Sequence, residues 1–382
     1  MSRARPLAWA LLPVLLLLLV GGAFLASDPL RPFSAGVPPV EELTVERAVL
    51  DDEGMALLVR AGGSEPIRIA QVQVDGAYWA FTQDPPGPIP RLATAWLRLP
   101  YPWVLGEAHR VVMLSRTGVA FEHTIEVALP SPNRSSLHAL GLVGLFVGVV
   151  PVALGMLFYP ALRAGGRTAF GFALALTVGL LLFLLVDTLQ EALELAAEAA
   201  PGLHGRAMVW LVAALTAGLL LALGRRRGGR LEGVPLATAI ALGIGLHNLG
   251  EGLAIGSAFA TGAAALGTFL VLGFTLHNVS EGIGIVAPLV EGRPGLPVFA
   301  ALAALAGLPA VAGLWLGSYA MAPHWAALAF AVGAGAILQV IVEVGLLLAR
   351  RAAPEGRGTA VAACGVATGV VVMYATALLV QL

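Results

Sequence analysis

What most restricts the fold of this chain is a succession of eight apolar runs of helical length that begins just after His138. They cover about residues 139–162, 169–189, 207–223, 236–259, 263–290, 298–320, 325–348 and 359–380. A helix of about 20 apolar residues spans the hydrocarbon core of a bilayer, where the backbone has no water to bond and must satisfy itself. The runs therefore predict an all-α polytopic membrane domain of eight transmembrane helices. Composition agrees. Of 382 residues, 58% are hydrophobic and only 12% charged, against about 25% charged in ordinary soluble domains. The net charge of -1 offers no attraction to nucleic acid. The single Cys364 leaves neither a disulfide framework nor a thiolate cluster, so any metal must be held by nitrogen and oxygen.

Two further segments precede the helices. Residues 1–27 carry Arg3 and Arg5 ahead of the apolar run from Leu7 to Ala26. That run is longer than a signal-peptide core and lacks a clean small-x-small site, which favours an N-terminal membrane anchor over a removed signal. Residues 28–136 differ in kind. Apolar runs shorten, and alternation of period two appears in Ile67–Val74 and Val119–Val127, with turn signals at Asp75-Gly76 and Thr117-Gly118. About seven short strands are expected there, in a small β-sandwich-like domain. Residues 137–382 form the eight-helix domain.

Arginine sets the orientation, because positive charge in short loops marks the cytoplasmic side. Arg163 and Arg167, then Arg225, Arg226, Arg227 and Arg230, then Arg293, then Arg350, Arg351 and Arg357 fall in every second loop, whereas the intervening loops hold only Arg206. The eight spans thus begin and end outside. Arg3 and Arg5 independently place the β-rich segment outside, which makes the chain a multi-pass protein of the plasma membrane.

Ionisable residues inside a span are costly unless they face protein or water, so each one points to function. The fourth span contains His247-Asn-Leu-Gly-Glu-Gly252 and the fifth His277-Asn-Val-Ser-Glu-Gly282. His and Glu at i and i+4 stack on one helical face, where an imidazole nitrogen and a carboxylate oxygen can converge on one ion. Asn248 and Asn278 lie about 100° further round and can offer carbonyl oxygens to a neighbouring site. Counting outward from the short loop near Thr261, both His residues lie about 20 Å deep, near the midplane where transporters hold their cargo. A lone buried His bonded to a carbonyl is commonplace. Here, however, two of the three Asn in the chain follow an intramembrane His and precede a Glu by three positions. Gly252 and Gly282 read as packing residues.

Other acids flank this pair. Asp187 and Glu191, again at i and i+4, lie toward the outer end of the second span, where with Glu194 and Glu198 they either attract cations or form a solvated helix end. Glu343, one turn after Gln339, is either an exit ligand or a partner for Arg350 or Arg351.

At these residues the sequence resembles the ZIP family of zinc and iron transporters, whose fourth and fifth helices carry paired His-Asn-x-Pro-Glu-Gly motifs. The resemblance covers about residues 136–382. It implies that His247, Asn248 and Glu251, with His277, Asn278 and Glu281, are metal ligands, that metal moves into the cytoplasm, and that a homodimer is compatible with the fold. Two departures stand out. The Pro before Glu is replaced by Gly250 and Ser280, which leaves the helix kink without its usual cause. Position 278, often acidic in the family, is Asn278, so one bound ion is expected rather than two.

These readings converge on transmembrane transport of a divalent transition metal, Zn²⁺ first, with Fe²⁺, Mn²⁺, Co²⁺ or Cd²⁺ as alternatives because imidazole and carboxylate suit them all. The metal is cargo, and no resident cofactor is expected. An enzyme is not expected either. An intramembrane metalloprotease places its catalytic Glu directly after the first His, where Asn248 and Asn278 stand. The rival reading is a membrane receptor or metal sensor with an extracytoplasmic ligand-binding domain.

Overall fold

The computed structural model describes residues 4–27, 39–130, 132, 134–226, 231–260, 264–319, 322–351 and 357–381. Arg3, Arg227, Arg230 and the loop at Thr261 lie outside them, as do the side chains of Arg5, Arg167, Arg225, Arg226, Arg351 and Arg357. Residues Ala4–Ser27 form one helix, α1, on which Leu15 to Leu19 are exposed. It is a separate unit of the chain.

The alternating segment folds as eight strands, one more than the pattern predicts, because the stretch after Gly76 yields two three-residue strands. The strands are β1 (Leu43–Asp51), β2 (Gly54–Ala61), β3 (Ile69–Val74), β4 (Ala77–Trp79), β5 (Thr82–Asp84), β6 (Thr94–Leu99), β7 (His109–Ser115) and β8 (Ala120–Ile125). They pair antiparallel in two four-stranded sheets, ordered β1-β2-β6-β5 and β4-β3-β7-β8. Alternation puts Leu57, Val59 and Leu97 from one sheet and Val72, Val111 and Met113 from the other into one core. Asp75-Gly76 makes the two-residue turn between Val74 and Ala77, both residues with positive φ, as the tight hairpin requires.

Eight helices long and apolar enough to cross a membrane follow among the described residues. The first span is α2 (Arg134–Gly144), a π turn (Leu145–Val149), α3 (Val150–Met156) and α4 (Tyr159–Ala164). The others are α5 (Gly166–Glu198), α6 (Gly205–Arg226), α7 (Gly233–Ala260), α8 (Ala264–Val286), α9 (Leu296–Ser318), α10 (Pro323–Arg351) and α11 (Arg357–Gln381). Helices gain little hydrophobic drive against lipid and associate where small residues let backbones touch. A methyl group on Gly252 of α7 would lie 2.2 Å from the Ala310 carbonyl oxygen of α9, and one on Gly282 of α8 equally close to the Val152 carbonyl of α3. The last residue of each motif is thus a helix contact, and α7 and α8 use it against different partners.

The β-strands rest on one end of the bundle. Glu46 of β1 meets His324, at the start of α10, with 3.3 Å between Oε1 and Nδ1, and also pairs with Arg60 of β2. Next to it, Arg47 lies over the Tyr319 ring just beyond α9, 5.8 Å from its centroid. A β-bulge between Val45 and Arg47 turns these neighbouring side chains toward separate targets.

Candidate metal centre

Both motifs lie within continuous helix, α7 and α8. Ser280 donates its hydroxyl to the His277 carbonyl at 2.6 Å. All six polar motif residues are buried, Asn248 and Asn278 completely.

The two motifs converge on Glu251. Its Oε1 lies 3.1 Å from His247 Nε2, one turn away on α7, and 2.5 Å from His277 Nε2 on α8. One ligand atom from each of these three residues falls within 4.8 Å of the others, and they are the one such trio of His, Cys or acidic residues among those described. Thr188 Oγ1 of α5 lies 2.9 Å from His247 Nδ1, which turns the opposite nitrogen toward Glu251. Sequence reasoning missed Thr188, since a Thr in an apolar helix 59 residues away carries no signal of its own.

The asparagines cross between the motifs. Asn248 donates its amide to Glu281 Oε2 at 3.4 Å and to the Ala306 carbonyl at 3.1 Å. Asn278 donates to Glu251 Oε2 at 3.3 Å and to the Val147 carbonyl in the π turn at 3.0 Å. These bonds leave Asn248 Oδ1, Asn278 Oδ1 and Glu281 Oε1 buried with no donor. A buried acceptor without a partner costs about 1–3 kcal/mol. Three of them beside a buried His/Glu trio form the surroundings that a cation would complete.

No family model matches the sequence, and no curated protein matches it significantly. The case for a metal centre therefore rests on geometry and chemistry.

A cavity of about 770 Å³ reaches the trio. His247, Glu251 and His277 line it together with Asp187, Glu191 and Glu198 of α5, and it extends to Ser257 and Ala258 in the last turn of α7 and to Pro323 at the start of α10. Those are helix ends on the side of the β-strands. On the other side of the trio the same helices are tightly packed, with Leu236, Ile240, Ile244 and Val286 all buried in the main apolar core. The centre is open toward the β-strands and closed away from them.

The structure therefore brings Asp187 and Glu191 to the cavity that leads to the trio. Glu343 lies apart, facing Gly224 of α6. It forms no ion pair with Arg350, and Gln339 one turn earlier is buried. Glu281 and the two asparagines lie beyond the cavity lining, hydrogen-bonded around Glu251.

Proposed function

We propose that this chain carries a divalent transition-metal ion, Zn²⁺ first, across the membrane and into the cytoplasm, as a relative of the ZIP transporters. The observation that carries this reading is the buried His247, Glu251 and His277 trio, reached by a cavity that Asp187, Glu191 and Glu198 also line. Glu251 and Glu281 supply the two negative charges that a dication neutralises, while imidazole nitrogen favours zinc and its neighbours over the hard cations Mg²⁺ and Ca²⁺. Ligation needs neutral imidazole and ionised carboxylate, so uptake releases protons and weakens in acid.

Asp187 and Glu191 collect the ion, and the trio, helped by the unpartnered oxygens of Asn248, Asn278 and Glu281, replaces its water. Release needs the packed side of the bundle to open, toward Glu343. Arg163, Arg293 and Arg350 mark that side as cytoplasmic. In this reading α1 is a membrane anchor, the two sheets form an extracytoplasmic β-sandwich, the membrane is the plasma membrane, and a homodimer is compatible. The chain is a carrier, not an enzyme.

Purified protein in liposomes that enclose a zinc-sensitive dye tests the proposal. Wild type should load the vesicles from a zinc gradient, and His277→Ala should not. Loading that survives this substitution removes the proposal.

A further inference from the structure

We propose that the pocket where β1 meets the ends of α2, α7 and α9 binds the phosphate headgroup of an anionic lipid, with Arg47 as its counter-charge. The pocket encloses about 350 Å³, and Arg47 is the one charged residue that lines it. Its other walls include Ala139 and Leu140 of α2, Phe259 of α7 and Tyr319.

Arg47 is in an unusual state. Its Nε–H is buried without an acceptor, and its guanidinium lies over the Tyr319 ring. Among the described residues no carboxylate comes within ion-pair distance of it. The adjacent Glu46 is turned by the β-bulge toward Arg60 and His324 and is not available. A cation with an open donor in an amphipathic pocket attracts an anion, and a planar guanidinium suits the oxygens of a phosphate.

The surroundings indicate a lipid rather than a free ion. Trp315, Tyr319 and Trp325 are exposed around this end of the bundle, the aromatic belt expected at the level of headgroups. From Ala139 the exposed face of the first span continues through Leu142 and Phe146, an apolar track along which acyl chains can lie. Phosphate chemistry at Arg47 and hydrocarbon along α2 together describe an amphiphile. The inference requires only that the helices span a bilayer, and it stands apart from the metal reading.

The test compares thermal unfolding of the full chain in nanodiscs of phosphatidylglycerol with that in nanodiscs of phosphatidylcholine. Ligand linkage predicts a midpoint about 2 °C higher in phosphatidylglycerol for the wild type. Arg47→Gln should remove that difference, and Arg47→Lys should keep part of it. Ala139→Trp, which fills the apolar wall and leaves the charge in place, should remove it as well and carries the test should Arg47→Gln fail to fold. The proposal is overturned if Arg47→Gln or Ala139→Trp retains the full lipid difference. It is overturned equally if millimolar inorganic phosphate in phosphatidylcholine discs reproduces the rise, since the site would then take a free anion.

Discussion

A histidine meets a carboxylate in two regions of this molecule, with different consequences. In the β-domain, His109 Nδ1 lies 2.8 Å from Asp75 Oδ2, which also accepts from the Tyr101 hydroxyl at 2.8 Å, while Oδ1 accepts from the Arg110 amide at 2.9 Å. One imidazole faces one well-bonded carboxylate. In the bundle, two imidazoles share one oxygen of Glu251, and three further oxygens nearby are buried without a donor. The first arrangement satisfies both oxygens of its carboxylate and leaves one buried nitrogen, His109 Nε2, without a partner. The second has an excess of acceptor oxygens for the protons at hand, as expected of a site built around an ion.

The largest effect that can break this comparison is the loss of Glu251. Glu251→Ala should lower zinc flux in liposomes by more than about 100-fold, beyond what removal of an outer-shell group costs. Glu281→Ala should lower it only about 10-fold, because Glu281 receives Asn248 and no imidazole. Equal losses would mean that the two motifs act alike and that the convergence on Glu251 has no functional weight. Asp75→Asn should leave flux unchanged.

Much of this was legible in the residues, for identifiable reasons. Apolarity over helical lengths dictates spans, so all eight fall where the runs lie, with most ends shifted by a few residues and the second span running on to Glu198. Period-two alternation gives the strands, and Asp75-Gly76 gives its hairpin. The stacking of His247 on Glu251 follows from helical spacing. The pairing of His277 with Glu251 in preference to Glu281, its own i+4 neighbour, does not. It depends on where α7 and α8 are placed by their packing, Gly252 against α9 and Gly282 against α3, a tertiary fact that spacing within one helix cannot encode. The contact of Glu46 with His324 was equally hidden, since it joins a strand to a helix across most of the chain.

A smaller effect sharpens the contrast between the two imidazoles of the centre. His247 is held at Nδ1 by Thr188, and His277 packs against the Phe274 ring, 5.4 Å between centroids. Thr188→Val keeps the shape and removes the hydroxyl. Zinc affinity, read by titration calorimetry on purified protein, should weaken about 10-fold. Unchanged affinity would show that packing alone orients His247.

The smallest effect belongs to the β-domain and is one of pH. Burial pushes the Asp75 carboxyl up, but the bonds from the Arg110 amide, His109 and Tyr101 outweigh it and hold the group below its ordinary 3.8. Its stabilising contribution is therefore present above that value and lost as pH falls through the lower, folded value. Tyr101 shifts the other way. Burial first, then the hydrogen bond to Asp75, push its phenol up to about 12. Its contribution is complete below pH 10, the ordinary value, and disappears as pH rises toward 12. Both groups are largely solvated, so each contribution is small. In Asp75→Asn the negative charge is gone while burial remains, so the Tyr101 phenolate should form at lower pH than in wild type yet still above 10, as followed by phenolate absorbance. Zinc affinity at neutral pH should not move. If this substitution weakened zinc binding, the β-domain contact would belong to the metal centre, and the distinction between the satisfied Asp75 carboxylate and the shared Glu251 one would fail.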